Sequence, residues 1–502
     1  MIQDKTSSYR RILRTSSITG GSSIINILIG LLKTKALAIL LGPSGVGLVG
    51  LYSGLMTTAT TIASMGIGTI GTRQVAEAAS IEDYESLTII KRAMFWGTLI
   101  LATTSAFVVW GLREILAVQL LGHIEHTKII GWLALGVALS VATASQSAII
   151  QGMRHIGDMA KISVYSSFFN TLFGIGLLWY WGSSALWAFM LMGPLFSFLL
   201  GHLYISKLPK SKKITASLDD IKAQWKIFLQ LGLPFMGAGL IQTASQLWIR
   251  VSISDQLGLE AVGHFQAAWS ISMQYIGFVL GAMSADYYPR LTGVINDKVA
   301  ASRLVNEQTE VALLLSAPIF IAMIGLSPWV IHLLYSDSFT PAIDVLRWQI
   351  LGDVLKVASW PMGFIILAAG NGKTFFWTET TTLLLMSTLI VTLLPIIGLE
   401  VTGIAFLASY VYLLPLVYFL AWRRIKFKWT STVFWLVLIT LTICTAIMQI
   451  SIYTEWGALS SIVLSTTFFC FTLTRLTMMS NVGGTLGHVV SKMKRLNKKL
   501  EL

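Results

Sequence analysis

Long apolar stretches alternate with short polar ones along the whole chain, and their lengths carry the first argument. Those that reach the roughly 20 residues needed to cross a bilayer centre near Ile29, Thr58, Leu99, Ala142, Phe173, Leu195, Ile241, Met273, Ile321, Ala358, Leu385, Leu407, Ile439 and Val463. The pattern predicts an all-α polytopic membrane protein with about 14 transmembrane helices, because a spanning segment must satisfy its backbone internally. The pattern also repeats: Leu41-Gly42 and Val46-Gly47 align without a gap on Leu257-Gly258 and Val262-Gly263. At that offset Arg250 falls on Thr34, between Lys33 and Lys35, so each copy places a cation late in its first span.

The expected organisation follows from the repeat. Two pseudo-symmetric six-helix lobes, 1–206 and 227–422, flank a cytoplasmic linker at 207–226. An extra transmembrane helix pair at 423–480 has no counterpart in the first half. A basic tail at 481–502 spaces Leu486, Val489, Val490, Met493, Leu496 and Leu500 helically. It is expected to lie on the anionic inner leaflet, a solvated charged tail being the alternative. Within the linker, Ser217-Leu-Asp-Asp220 has the spacing of a capping box, which predicts a short surface helix.

Composition fixes the class and charge fixes the orientation. Of 502 residues, 55% are hydrophobic and 12% charged, against about 25% charged in a soluble domain. The net charge of +13 invites a nucleic-acid reading, but the distribution removes it. Only Arg113 and Lys128 fall on outer loops, and Lys33, Lys35, Arg250, Arg347 and Lys356 lie in spans. The other Lys and Arg crowd the opposite side. The positive-inside rule then puts both termini in the cytoplasm. Cys444 and Cys470 lie in apolar segments and predict no disulfide framework. Met1 to Thr15 is polar and basic, so no removable signal peptide is expected and the first span directs insertion.

No enzyme motif stands. Gly370-Asn-Gly-Lys373-Thr374 resembles the end of a phosphate loop, but Leu367 occupies the position of the first glycine and no strand precedes it. The seven histidines have no metal-ligand partner at helical spacing. No extramembrane segment is long enough for a catalytic domain, so neither an enzyme nor a cofactor is expected.

What remains is a transport site built from side chains within the spans, where an ionisable group costs about 3 kcal/mol or more unless it snorkels, pairs or faces a wet cavity. Lys33 and Lys35 are two apart and cannot both face one cavity. Lys33 lies deeper and is preferred for it, with Lys35 snorkelling outward. Arg250 is the cation of the second half, against a snorkelling role or a pair with Asp255. Asp353 and Lys356, three apart, allow either an internal salt bridge or a functional site. Glu379 reads as interfacial. Asn26, Gln146, Asn170, Gln242, Gln246 and Gln274 each need a hydrogen-bond partner within a span. Hydroxyl stripes at Ser53, Thr57, Thr61, Ser64 and at Ser140, Thr143, Ser147 suit helix packing or a hydrated cavity. Trp248, Trp269 and Trp360 suit stacking on sugar rings.

The run Trp348-Gln349-Ile-Leu-Gly352-Asp353-Val-Leu-Lys356, with Tyr335-Ser-Asp-Ser-Phe339 before it and Tyr288-Pro289-Arg290-Leu291 after the eighth span, closely resembles the O-antigen translocases and enterobacterial common antigen lipid flippases. These belong to the multidrug/oligosaccharidyl-lipid/polysaccharide exporter superfamily, and the resemblance covers about Thr15 to Trp422. It implies a flippase carrying undecaprenyl-pyrophosphate-linked oligosaccharide from the inner to the outer leaflet of a Gram-negative inner membrane. Membrane lipids and the polymerase and chain-length proteins of the glycan pathway are its candidate partners. Lipid II flippases carry a Gly-X-X-Arg-Asp element in the first span. Here it stands as Gly30-Leu-Leu-Lys33-Thr34, which favours Lys33 as a headgroup contact while replacing the Arg fork and removing the acid. The last two spans depart from twelve-span relatives.

The expected mechanism is alternating access between the lobes, with Lys33, Arg250 and Lys356 offsetting phosphate charge. A cation-coupled multidrug exporter of the same fold is the alternative, for which Asp353 would serve. A structural scaffold for glycan assembly is the third reading.

Overall fold

The computed structural model describes residues 2–208, 217–454 and 456–479. The expected amphipathic tail lies outside them, as does the lysine-rich part of the linker. Among the described residues the regular structure is helical throughout, and eleven stretches are long and apolar enough to cross a membrane. Two of these, Gly20–Ser64 and Ile156–Ser206, each contain two of the expected spans. A further helix, Leu259–Val294, covers the position near Met273. The arrangement is consistent with fourteen crossings.

The repeat seen in sequence is a repeat in backbone geometry. Helix α1 (Ile2–Ser64) is broken at Gly42, with φ 64° and ψ −172°, and Pro43 restarts it. Helix α8 (Leu218–Leu257) ends at Gly258, with φ 85° and ψ 173°, before α9 (Leu259–Val294) begins. Both glycines occupy a region that side chains essentially exclude. Five residues on, the two copies touch. A methyl at Gly47 would collide with the Leu259 carbonyl, and one at Gly263 with the Pro43 carbonyl. The spacing of glycines therefore encodes both a span-to-span turn and a close packing of the two turns.

The chain forms two compact units. The first comprises the described residues of Met1–Ala267 with His332–Thr340 and Ile390–Leu399. It holds α1, α2 (Ile67–Ser80), α3 (Tyr84–Gly111), α4 (Arg113–Leu121), α5 (Thr127–Gly152), α6 (Ile156–Trp181), α7 (Leu186–Ser206) and α8. Ile70, Val75, Leu87, Met94, Ile149 and Phe228 form one core of this unit. The capping box at Ser217 and Asp220 is formed, but it opens no separate surface helix. It starts α8, which continues without a break through Lys226 into the span. Trp225 explains why: its indole Nε1 donates to the Ala93 carbonyl at 2.9 Å, tying this turn to α3.

The second unit comprises the described residues of Ala268–Ile331, Pro341–Leu389 and Glu400–Leu502. Its elements are most of α9 and α10 (Lys298–Leu334), then α11 (Ala342–Ala368), most of α12 (Gly372–Ile397), α13 (Val401–Ile425), α14 (Ser431–Tyr453) and α15 (Gly457–Met479). Helix α11 is buried on nearly every side. Glycines at the contact allow this: Gly352 faces Phe406, and Gly403 faces Trp348 and the Val345 carbonyl, so α11 and α13 approach closely. A helix enclosed by protein can carry polar groups that a lipid-facing one cannot.

Candidate functional site

In the first unit the two lysines of α1 separate as the helical period requires. Lys35 donates through Nζ to the His332 carbonyl at 2.9 Å and to the Tyr335 carbonyl. It therefore fastens a segment, 332–340, that clusters with this unit. Lys33, partly buried, makes no hydrogen bond or ion pair among the described residues. Of the two lysines it is the one whose ammonium has no partner among the described residues.

Arg250, on α8, is buried. Its Nε donates to Gln266 Oε1 at 2.9 Å. Its Nη1 donates to the Gln246 carbonyl at 2.8 Å and to Gln246 Oε1 at 3.4 Å. The Phe265 ring lies 5.8 Å from the guanidinium carbon. Asp255, the partner in the alternative reading of Arg250, is exposed and makes no ion pair with it; α8 supplies Gln246 one turn back instead. Every partner of Arg250 is neutral, and Nη2 has none among the described residues. The group is positioned but its charge is not cancelled, which is the chemistry of an anion contact. Gln246 belongs to the expected set; Gln266 does not. Its position could have been read from the repeat, since it sits three residues after Gly263 on the next helix.

In the second unit Asp353 is fully buried. Its Oδ2 accepts from Ser272 Oγ at 2.6 Å and from the Tyr275 hydroxyl, both on α9. Among the described residues Oδ1 has no hydrogen-bond partner, and neither does the side-chain amide of Gln349 one turn earlier. Of the two readings that the spacing leaves open, the internal salt bridge with Lys356 does not form. Lys356 Nζ instead lies 3.5 Å from Met273 Sδ, and 5.7 and 5.9 Å from the Phe406 and Tyr410 ring centres. Gln349, Asp353 and Lys356, spaced four and three, share one face of α11. Ser272 and Tyr275 were missed because nothing in their own spacing distinguishes them from helix-packing residues.

The amides and rings divide. Asn26 donates to Ser163 Oγ of α6 at 2.9 Å. Gln146 lies against Gly201 of α7, its oxygen without a hydrogen bond among the described residues. Gln242 is exposed, and Trp248 is 48% exposed. Trp360 stacks on Tyr287 and meets Phe364 edge-on, and Trp269 meets Phe406 edge-on. The hydroxyl stripes bond to their own helices: Thr57 to the Ser53 carbonyl, Thr61 to Thr57, Ser140 to Gly136 and Thr143 to Leu139. The Gly-Asn-Gly-Lys-Thr stretch is the turn into α12, where Asn371 accepts from the Thr374 N–H.

This arrangement defines a class, a multi-pass α-helical membrane protein with charged groups inside its bundles, and solved structures share its fold. The lipid II flippase MurJ in an inward closed conformation superposes with a TM-score of 0.71 at 15% identity, covering 93% of this chain and 99% of that one. An inward-facing multidrug resistance transporter of the MATE family, MOP superfamily, gives 0.67 at 16% identity over 80% and 98%. A family model described as "Polysaccharide biosynthesis protein" matches residues 36–344, and the chain belongs to that family. Among curated proteins, the lipid III flippases of Escherichia coli (strain K12) and Shigella flexneri are each 25% identical over 429 residues. The match spans 82% of this chain and 99% of each relative.

Proposed function

We propose that this protein is a flippase for undecaprenyl-pyrophosphate-linked oligosaccharide, an O-antigen or related repeat unit, in a bacterial inner membrane with both termini cytoplasmic. The observation that carries the reading is Arg250: a buried guanidinium held by Gln246 and Gln266, with no acid paired to it among the described residues. A pyrophosphate is the anion that such a group and the partnerless Lys33 would meet. Family membership and the names of the lipid III flippase relatives support the same substrate class. Two lobes, 1–206 and 227–422, alternate in exposing the headgroup to either side of the membrane while the polyprenyl tail stays in lipid. Gln242, Gln146, Asn26 and the half-exposed Trp248 serve the sugars. Lys35 holds its backbone carbonyls, and Asp353 and Lys356 form a second polar site. Polymerase and chain-length proteins of the glycan pathway receive the product.

The buried carboxyl of Asp353 favours a second reading, a cation-coupled multidrug exporter, because a drug cation or coupling ion needs an acid within the bundle. A deletion strain complemented with this chain separates the two. Restored surface glycan is the expected result. Unchanged glycan with altered resistance to cationic drugs would move the assignment to the exporter, and no change in either would leave a scaffold.

A further inference from the structure

Helix α10 contains two prolines, and each orphans the carbonyl four residues earlier. An unpaired carbonyl is costly inside a membrane bundle, so something must supply a donor. At Pro328 the supply is local: Ser327 Oγ donates to the Ile324 carbonyl at 3.0 Å and accepts from Arg347 Nε at 3.1 Å. At Pro318 it comes from another helix. Thr472 Oγ1, on α15, donates to the Leu314 carbonyl at 3.0 Å, and both residues are buried.

The contacts around that bond form an ordered seam. Ser465 Oγ donates to the Pro318 carbonyl at 2.9 Å, and Arg475 Nε pairs with Glu310 Oε1 at 2.9 Å. Gly325 lies against Ser461 closely enough that a methyl there would collide. As α15 runs through 461, 465, 472 and 475 on one face, its partners on α10 run backwards through 325, 318, 314 and 310. The piece of α10 between the prolines has a further neighbour. Phe320, buried, meets the Tyr275 ring edge-on at 5.9 Å, and Tyr275 donates to Asp353.

We propose that the C-terminal helix pair is a brace: α15 completes the proline break in α10 through Thr472 and thereby positions Tyr275 against Asp353 for transport. Thr472 is a positioning residue; it touches no substrate. The inference rests on the flippase reading for its transport arm but not for its structural arm.

The test uses the full chain. Thr472→Val keeps shape and loses the donor, whereas Thr472→Ser keeps the donor. At equal protein level, Thr472→Val is expected to slow transfer of the lipid-linked precursor about tenfold, with precursor binding to the purified protein within about twofold of wild type. Thr472→Ser is expected to restore the rate. A wild-type rate in Thr472→Val, or equal loss in Thr472→Ser, overturns the proposal. Deuterium uptake over residues 310–320 judges the brace apart from transport: it should rise in Thr472→Val and not in Thr472→Ser. Unchanged uptake refutes the brace even if the flippase reading holds. A wild-type chain that moves no precursor, with uptake responding as stated, retires the flippase reading and keeps the brace.

Discussion

Arg250 in the first unit and Asp353 in the second are both buried ionisable groups held by neutral partners, yet the two arrangements differ in what they leave open. Arg250 is fixed by amide oxygens on Nε and Nη1, and its positive charge has no counter-ion among the described residues. Asp353 is fixed by two hydroxyls on one oxygen, with Lys356 on the same helix face. One arrangement leaves a single positioned cation with only neutral partners among the described residues. The other is a mixed polar cluster in which acid and base already share the surroundings. Neutral partners can thus orient a charge without neutralising it, and which sign is left over decides what each site could bind.

The comparison breaks most visibly at Arg250. Arg250→Gln should lower precursor transfer about 100-fold, the scale of removing one member of a buried charged contact, measured as surface glycan at matched protein level. Arg250→Lys should lose about tenfold, because an ammonium cannot keep the Nε and Nη1 contacts together. If Lys restores nothing beyond Gln, fixed geometry rather than charge is what the site requires. Next in size, Asp353→Ala strands the Ser272 and Tyr275 hydroxyls and should cost about 2 kcal/mol of stability. Asp353→Asn still offers an oxygen to both hydroxyls and should cost under about 1 kcal/mol. Thermal melts of the purified proteins compare them, and equal losses would mean that the carboxylate charge itself holds the second site.

Smaller effects test the scaffold that carries Arg250. Gly258→Ala puts a side chain where φ is 85° and should cost about 1 kcal/mol or somewhat more, read as a lower melting temperature. Transfer should fall along with it, since Gly258 sets the turn between the helices bearing Arg250 and Gln266. The least effect is expected at the surface. Asp83, before α3, accepts from the Ser86 N–H at 3.0 Å, and the Ser86 hydroxyl and N–H hold its carboxyl below the usual aspartate range. A lowered folded value means the cap is fully formed above the unfolded value of about 3.9 and is lost as pH falls through the folded one. The stability gap between wild type and Asp83→Asn should therefore shrink as pH is taken from 5 to about 3. A gap independent of pH would show that the charge contributes nothing there.

What the sequence made legible follows from how local each feature is. The spans and the paired glycines were readable because apolar length and a positive φ are properties of a few consecutive residues, and Gly42 and Gly258 share one conformation as the repeat implied. The separation of Lys33 from Lys35 was readable from helical period alone. The partners of the charges were not. Gln266 and Gln246 displaced Asp255 from Arg250, and Ser272 and Tyr275 displaced Lys356 from Asp353. Each choice is made by a neighbouring turn or helix, so tertiary packing outbids the nearest opposite charge in sequence. The role of Thr472 was equally hidden, because a threonine on an apolar helix has no signature until the carbonyl it completes, Leu314, is placed beside it.

If the uncancelled cations of the first unit meet the pyrophosphate, removing both should stop transfer. The decisive measurement is the leaflet distribution of the undecaprenyl-linked precursor in a deletion strain carrying either the wild-type chain or the Lys33→Met, Arg250→Gln double variant at equal level. Precursor should be released to the outer leaflet by the wild type and trapped on the inner leaflet by the variant. A wild-type distribution in the double variant would mean that these cations do not hold the headgroup.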